Sequence, residues 1–250
     1  MTGAKVLLVT GGSRGIGAAV SLGAARAGYR VAVNYVSNRA AADKVVDAIA
    51  AEGGEAFAVQ GDVGSVDDIV AMFEAVDARF GRLDALVNNA GIVDELARVD
   101  EIGAARLERM FRINVSGSFL CAAEAVRRMS TRHGGRGGVI VNVSSAAARL
   151  GSGGWYVDYA ASKGAIDTFT KGLAMEVAAE SIRVNAVRPG ITDTEIHASG
   201  GQPNRIAEVR AALPMGREGK ADEVADGILF LLSDRASYVT GAILDITGGR

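Results

Sequence analysis

A tyrosine and a lysine four residues apart are the side chains of this sequence best suited to proton transfer. Tyr159 and Lys163 lie in a stretch of helical pattern, so both side chains share one face of the predicted helix. A free tyrosine titrates near pH ~10. A nearby ammonium group favours the phenolate and brings its pKa toward neutral pH, where it could give and take a proton. Such a pair also arises by chance in many helices, so its meaning depends on the rest of the chain.

A glycine-rich turn follows the first apolar run. Residues 10–17 read Thr-Gly-Gly-Ser-Arg-Gly-Ile-Gly. Gly11 permits a tight turn, Gly15 lets the backbone approach a pyrophosphate, and Gly17 lets helix and strand pack closely. The free N–H groups at the helix start then receive the phosphate charge. The pattern predicts a dinucleotide site, with a plain turn that uses glycine for geometry alone as the alternative.

The same turn also matches a pattern of a different class of enzyme. Residues 11–15 read Gly-x-Ser-x-Gly, the nucleophile elbow of α/β-hydrolases, in which a later acid and His197 would complete a triad with Ser13. The elbow strand of a hydrolase normally follows several other strands, whereas this turn follows the first. Its position therefore favours phosphate binding over a nucleophilic serine.

Short β-branched runs alternate with longer stretches of helical periodicity along almost the whole chain. Strands are predicted over residues 5–10, 30–35, 55–60, 83–88, 139–143, 183–187 and 242–246. Helices are predicted over residues 16–27, 39–52, 66–80, 107–129, 158–180 and 223–232. The strands are apolar without alternation, as expected when helices cover both faces of a parallel sheet.

This order of elements predicts an α/β fold with a doubly wound parallel sheet of about seven strands. Ligands are expected at the carboxyl ends of the strands. No linker or low-complexity tract divides the chain, so a single domain is predicted over residues 1–250. Residues 193–213, which contain Gly200, Gly201 and Pro203, fit the alternation least and are predicted to form a substrate lid.

The composition argues against several kinds of partner. The net charge of −2 and the pI of about 5.8 give no electrostatic basis for binding nucleic acid. Cys121 is the only cysteine, and His133 and His197 stand in no ligand spacing, so no disulfide framework and no metal site are expected. The first apolar run is too short for a signal peptide or a membrane span. A cytosolic protein without membrane contact is therefore expected.

The glycine turn at the start of a chain of this length and the Tyr-x-x-x-Lys pair resemble the short-chain dehydrogenase/reductase family. The resemblance extends through nearly the whole chain. It implies a Rossmann fold and an oxidoreductase that moves hydride between a nicotinamide cofactor and a carbonyl or secondary alcohol. In that family the turn binds the cofactor pyrophosphate, which here implies Gly11, Ser13, Arg14, Gly15, Ile16 and Gly17.

Further motifs at successive strand ends resemble the cofactor contacts of that family. The resemblance implies an adenine contact at Asp62 and Val63, an adenosine contact at Asn89, Ala90 and Gly91, and a carboxamide contact at Pro189, Gly190, Ile191 and Thr192. Each motif alone is weak, because similar turns are common in loops. Their order along the chain is what makes them informative.

The end of the second predicted strand bears on the choice of cofactor. NAD enzymes usually place a carboxylate there to accept the adenosine-ribose hydroxyls. Here the segment contains no carboxylate and consists of Asn34, Tyr35, Val36, Ser37, Asn38 and Arg39. The two arginines, Arg14 and Arg39, suit a 2′-phosphate, so NADP(H) is expected over NAD(H). The alternative is that Arg39 simply faces solvent.

The resemblance also implies a catalytic set. Tyr159 would be the general acid and base, and Lys163 would lower its pKa and bind the nicotinamide ribose. Asn114 would hold a water that links Lys163 to solvent. Ser145 would orient the reacting oxygen, although the loop before Tyr159 is one residue longer than usual and leaves Ser144 as the alternative.

The sequence also bears on the substrate. Its motifs favour a small ketone, diketone or sugar-like compound. Contacts with this substrate are expected from residues 93–97, 145–159 and 193–213. Trp155 and Tyr156 could wall the pocket or make core or subunit contacts. A β-ketoacyl carrier-protein reductase is the alternative, but Glu180 falls at a position where that enzyme docks its acidic carrier. A nucleotide sensor without chemistry is a remote alternative.

The resemblance also implies a homotetramer, paired through helices 107–129 and 158–180.

Overall fold

Seven parallel strands form the central sheet, in the order β3-β2-β1-β4-β5-β6-β9. The computed structural model describes residues 3–250, apart from the side chain of His197, so the role of that side chain lies outside the described part. The strands of the sheet are β1 (Val6–Val9), β2 (Arg30–Tyr35), β3 (Ala56–Gln60), β4 (Ala85–Asn88), β5 (Gly138–Val143), β6 (Ile182–Pro189) and β9 (Ile243–Ile246). Two short strands, β7 (Thr192–Asp193) and β8 (Gly219–Lys220), pair separately.

Helices connect the strands and cover both faces of the sheet. They are α1 (Gly15–Arg26), α2 (Arg39–Ala51), α3 (Val66–Phe80), α4 (Ala104–Phe111), α5 (Gly117–Met129), α6 (Ala147–Leu150), α7 (Val157–Val177), α8 (Ile196–Ser199), α9 (Arg205–Val209) and α10 (Ala221–Leu232). Within the described part of the chain, no helix is long and apolar enough to cross a membrane.

Strand β1 shows why the apolar runs do not alternate. Val6 and Leu8 pack into one core with α3, α5 and α7, whereas Leu7 and Val9 pack into the other with α1, α2 and α10. All four side chains are completely buried. A strand that is covered on both faces needs apolar residues at every position, and this requirement confirms the predicted doubly wound sheet.

A layer of buried asparagines crosses the sheet toward its carboxyl edge. Asn34, Asn88, Asn142 and Asn185 lie on β2, β4, β5 and β6, and each is almost fully buried. Asn88 donates to Asn142 at 3.0 Å, and Asn142 donates to Thr170 of α7 at 2.9 Å. These bonds tie the sheet to the helices that carry the candidate site.

The structure follows the predicted elements closely, with one interruption. The strand at 30–35 and the helix at 66–80 have the predicted bounds. The single helix predicted over 107–129 is instead α4 and α5 joined by a π-helical turn, Arg112–Ser116. This turn contains Asn114, whose side chain bonds to the backbone of Ile92 rather than facing along a regular helix. Residues 193–213 form two short helices and an irregular excursion.

Candidate active site

Three of the predicted catalytic residues line one cleft at the carboxyl ends of the strands. Ser145 follows β5, and Tyr159 and Lys163 lie one turn apart on α7. The Lys163 ammonium donates to the Val143 carbonyl at 2.8 Å and lies 5.8 Å from the centre of the Tyr159 ring. The phenol of Tyr159 faces the hydroxyl of Ser145, which lowers the pKa of the phenol. The cleft thus brings together a phenol, a hydroxyl and an amine.

The two serines after β5 have different surroundings. Ser144 is buried, and its hydroxyl donates to the Lys163 carbonyl at 3.1 Å. Ser145 faces Tyr159 and also accepts the backbone N–H of Ala147 at 3.1 Å. Ser145 therefore caps the following turn and also faces Tyr159.

The longer loop before Tyr159 is absorbed by a compact turn. Gly151 and Gly154 both adopt left-handed backbone conformations with φ of 74°, and Ser152 adopts φ of 50°. A left-handed conformation is easy for glycine and unfavourable for most other residues. The turn places three exposed glycines, Gly151, Gly153 and Gly154, between Ser145 and Tyr159.

Asn114 is held by the loop that follows β4. Its Oδ1 accepts the N–H of Ile92 at 2.8 Å, and its Nδ2 donates to the Ile92 carbonyl at 2.9 Å and to Ser162 at 3.1 Å. A β-carbon added to Gly91 would lie 3.3 Å from Asn114 Oδ1 and 3.4 Å from Lys163 Nζ. Gly91 thus keeps the space between these two groups open. The predicted water link between Lys163 and Asn114 would occupy that region.

Burial controls the proton affinities in this cleft. Burial raises the pKa of Tyr159 to about 12, although its hydrogen bond with Ser145 lowers it. Burial also lowers the pKa of Lys163 to about 8, although the charge of Asp167 raises it. The sequence suggested that the ammonium would bring the tyrosine toward neutral pH. Loss of solvation dominates instead, so Tyr159 keeps its proton at neutral pH.

Asp167 lies one helical turn beyond Lys163 and is paired with an arginine of β6. Its Oδ2 accepts from Nε and Nη2 of Arg188, at 2.9 and 2.7 Å. Arg188 also reaches Asp245 of β9 at 3.5 Å. The pair holds a carboxylate near the buried lysine and fixes α7 against the sheet.

The glycine turn leaves the start of α1 open to an anion. No side chain caps this helix, and its first turn contains no acidic residue. Gly11 has φ of 59°, and a β-carbon at Gly17 would collide with the Gly11 carbonyl. The uncapped N–H groups and the helix dipole therefore suit the pyrophosphate of a dinucleotide. The residues present fit such a cofactor.

Several predicted cofactor residues shape this edge from inside the protein. Asn34 accepts the N–H of Gly11 at 2.9 Å and donates to the Gly61 carbonyl at 2.9 Å. The side chains of Tyr35 and Val63 are buried in the two apolar cores. These side chains are directed into the protein, so the predicted cofactor contacts of these three residues, which stay predictions, would be made through the backbone. Asn34 instead positions the glycine turn.

The predicted 2′-phosphate residues lie on the outside. Arg14, Ser37, Asn38 and Arg39 are all exposed. Asn38 caps α2 by accepting the N–H of Ala41 at 3.0 Å. Arg39 reaches Asp43 at 3.3 Å in an exposed pair, which is a weak interaction.

The remaining predicted cofactor residues lie along the same edge. Asp62 accepts the N–H of Gly64 at 2.8 Å, and Asn89 donates to the Thr10 and Gly11 carbonyls at 2.9 and 3.0 Å. Ala90 follows Asn89, and its N–H donates to the Thr10 hydroxyl at 3.0 Å. The cleft lining itself includes Ile16, Asn89, Gly91, Pro189, Gly190, Ile191 and Thr192. Ile16 of the glycine turn and the predicted carboxamide segment therefore line the same cleft as Tyr159.

Two supporting residues escaped the sequence analysis. The Thr10 hydroxyl accepts the N–H groups of Asn89 and Ala90, both at 3.0 Å, and so joins the ends of β1 and β4. Asp158, next to Tyr159, is buried and accepts from Arg106 at 2.7 and 3.1 Å. Thr10 stands inside the glycine motif, which was a usable signal. Nothing in the sequence pairs Asp158 with a residue 52 positions earlier.

Comparison with known proteins agrees with this geometry. A family model described as "Enoyl-(Acyl carrier protein) reductase" matches residues 11–250. A short-chain dehydrogenase/reductase from Serratia marcescens BCRC 10948 superposes with a TM-score of 0.90 at 35% identity, over 99% of this chain and 98% of that one. The chain belongs to the short-chain dehydrogenase/reductase family. It is therefore an oxidoreductase that acts on carbonyl or CH–OH groups.

Sequence relatives within the short-chain dehydrogenase/reductase family carry several names. The chain is 56% identical to "Uncharacterized oxidoreductase YgfF" of Escherichia coli (strain K12), over 98% of this chain and 99% of that protein. It is 39% identical to "Versicolorin reductase stcU" of Emericella nidulans, over 98% of this chain and 95% of that protein. It is 37% identical to "3-oxoacyl-[acyl-carrier-protein] reductase FabG" of Staphylococcus aureus (strain Mu50), over 98% of this chain and 97% of that protein. The remote hydrolase alternative finds no support among these relatives.

The contrast between the two serines gives a direct test of the site. Replacing Ser145 with Ala should lower kcat/KM for carbonyl reduction by about 10²-fold or more, the usual effect of losing one donor at a reacting oxygen. Ser144→Ala removes only a bond to a helix carbonyl and should cost much less. Steady-state kinetics with both variants, at unchanged cofactor affinity, measure this difference. Equal losses in the two variants would contradict the assignment.

A pH profile tests the link between Asp167 and Lys163. As pH rises through the pKa of about 8, Lys163 loses its proton and kcat/KM for reduction should fall. Asp167→Asn removes the charge that raises this pKa, so the fall should begin at lower pH. Asp245→Asn is the matched control, since it loosens Arg188 without removing the carboxylate near the lysine. An unmoved alkaline limb, or an equal shift in the control, would show that Asp167 does not tune Lys163.

Proposed function

We propose that the protein is an NADP(H)-dependent reductase of a small or medium ketone, diketone or sugar-like carbonyl compound, able to oxidise the matching secondary alcohol. The observation that carries this proposal is one cleft, in which Ile16, at the start of α1, lies with Tyr159, Ser145 and Lys163. A nicotinamide bound in this cleft supplies or accepts the hydride.

The protein's own residues would handle the substrate oxygen and the proton. Ser145 would donate a hydrogen bond to the carbonyl oxygen and orient it. Tyr159, protonated at neutral pH because burial raises its pKa, would give its proton to the same oxygen. Lys163 and Asn114 would return a proton to Tyr159 across the space beside Gly91. The high proton affinity of Tyr159 favours reduction at neutral pH and oxidation at higher pH.

The lining of the cleft supports a compact substrate. Val93, Leu150 and Ile196 give it apolar walls, and Ser152 and Tyr156 add hydroxyl groups. Binding sites for small molecules commonly combine apolar walls with a few polar groups. These walls come from the three segments that the sequence assigned to the substrate.

A carrier-protein substrate is the second candidate. The description of the matching family model and the name of the Staphylococcus aureus relative favour it. It requires a basic docking surface, for which Arg127, Arg128, Arg132 and Arg136 are the available arginines. Arg127 and Arg128 both pair with Glu124, and Arg128 also pairs with Asp77 at 2.7 Å. Half of the basic patch is thus neutralised within the chain, which favours the small-molecule proposal.

The self-association of the protein is also part of the proposal. Phe119 and Leu120 on α5 and Met175 on α7 are exposed, as are Tyr238 and Leu244 near β9. Exposed apolar groups on two separate surfaces suit the two symmetric contacts of a homotetramer. Light scattering at micromolar concentration should give about four times the 25.7 kDa chain mass. A monomeric mass would contradict the proposed tetramer.

The cytosolic location expected from the composition stays a prediction.

Substrate screening tests the proposed reaction. NADPH oxidation should occur with at least one member of a panel of ketones, diketones and aldoses. Acetoacetyl thioesters of coenzyme A and of carrier protein belong in the same panel. Tyr159→Phe should lower the rate about 10²- to 10⁴-fold, because it removes the acid, and should leave the Kd for NADPH nearly unchanged. A kcat/KM on the carrier-bound thioester well above every small carbonyl compound would establish the second candidate instead.

Cofactor titrations test the preference for NADP(H). NADPH should bind at least tenfold more tightly than NADH, a difference of ~1.4 kcal/mol. Arg14→Ala and Arg39→Ala should each narrow this ratio. Asp43→Asn should widen it, because it removes the carboxylate that competes for Arg39. Arg98→Ala, an exposed arginine paired with Asp100, is the control. Equal Kd values for the two cofactors in the parent protein would rule out the preference.

A further inference from the structure

Arg205, in the excursion predicted to be the lid, has unusual surroundings for an arginine. It is only 4% exposed, and its Nε is buried without a hydrogen-bond partner. Among residues 3–250 no carboxylate lies within ion-pair distance of its guanidinium, although the charge of Glu208 acts on it from farther away. Burying an unpaired cation is unfavourable unless another interaction compensates. Burial accordingly lowers the pKa of Arg205.

The compensating partner is an aromatic face. The guanidinium carbon of Arg205 lies 3.6 Å from the centre of the Trp155 ring. This distance is well inside the range of a cation–π contact, which is strongest when water is excluded. The Tyr156 phenol is close enough to raise the pKa of the guanidinium, against the effect of burial. Arg205 therefore lies against both aromatic residues of the loop that precedes α7.

Trp155 is where the three substrate segments meet. Its carbonyl accepts the N–H of Ala97 at 2.8 Å, which ties it to the loop after β4. Its ring packs edge-on against Tyr156, with ring centres 6.3 Å apart. Tyr156 in turn packs edge-on against Tyr159, at 5.7 Å. A chain of aromatic contacts thus runs from the lid arginine to the catalytic tyrosine.

We propose that Arg205 is a positioning residue that fastens the lid to Trp155 and so sets the outer wall of the substrate pocket at Tyr156. Tyr156 lines the cleft, whereas Arg205 and Trp155 stand behind it. When the stack is intact, the wall lies against Tyr159 and selects compact carbonyl substrates. When it is broken, the wall retreats and larger substrates fit. This inference rests on the proposed function, since it concerns which carbonyl compounds reach Tyr159.

The selectivity of the reaction tests this proposal. Arg205→Met keeps the length of the side chain and removes its charge. It should raise KM for the best small carbonyl substrate about tenfold, change kcat little, and improve kcat/KM for bulky ketones relative to small ones. Arg210→Met is the matched control, because Arg210 belongs to the same excursion but pairs with Glu218 at 2.8 Å. Arg205→Lys, which restores a cation over the ring, should recover part of the selectivity.

Fluorescence gives a readout that does not depend on activity. Trp155 is the only tryptophan in the chain, so its emission reports the stack directly. Arg205→Met should make this emission more sensitive to acrylamide quenching, and Arg210→Met should not. If Arg205→Met changes the fluorescence but the parent protein oxidises NADPH with no substrate, the proposed function is wrong. The contact between Arg205 and Trp155 is still supported in that case. Parent-like quenching and selectivity in a folded Arg205→Met, or a loss that Arg205→Lys does not relieve at all, would overturn the role of Arg205.

A double-mutant cycle separates the stack from a general loss of lid structure. If Arg205 acts through Trp155, then Arg205→Met combined with Trp155→Leu should raise KM no more than the larger single change. Additive effects would show that the two residues act independently and would contradict the proposal. If Arg205→Met does not fold, Arg205→Lys against Trp155→Leu completes the comparison.

Discussion

The need to satisfy buried amide groups fixes the carboxyl edge of the sheet. Asn34, Asn88, Asn142 and Asn185 stand on four strands where both faces are covered, so their polar atoms must find partners inside the protein. Asn185 accepts the N–H of Ala242 at 3.0 Å and donates to the Val239 carbonyl at 2.9 Å, which anchors the segment before β9. These hydrogen bonds restrict how the strand ends can be arranged, although the Oδ1 of Asn88 has no hydrogen-bond partner among the described residues. Hydrogen bonds from this layer help to position the glycine turn and α7.

The electrostatics of the cleft follow from the same burial. A phenol and an amine placed in a dry site both shift toward their neutral forms, the phenol upward and the amine downward in pKa. The two shifts bring the values of Tyr159 and Lys163 into reversed order relative to free side chains, in which the amine is the weaker acid. Proton transfer from Lys163 to a tyrosinate is then downhill. Asp167 limits this effect, because its charge keeps Lys163 protonated near neutral pH.

Much of this site could be predicted from the sequence because its parts are local. The glycine turn, the Tyr159–Lys163 spacing and the apolar strands are short-range patterns, and the structure brings them to one edge. The inward orientation of Asn34 could not be predicted, because it depends on β3 lying beside β2 and offering the Gly61 carbonyl. The protonation of Tyr159 depends on solvent exclusion by the whole fold. The stack of Arg205 on Trp155 joins residues 50 positions apart, and the sequence contains no signal for it.

Two interactions of different strength hold the residues that precede Tyr159. Asp158, which precedes Tyr159, is completely buried and binds Arg106 through two hydrogen bonds. Removing one partner of such a buried pair typically costs about 3–5 kcal/mol. The wall formed by Trp155 and Tyr156 depends instead on a cation–π contact of about 2 kcal/mol. The start of α7 is therefore held more strongly than the wall. Because the weaker contact lies only in the wall, changes there can alter the substrate without displacing Tyr159.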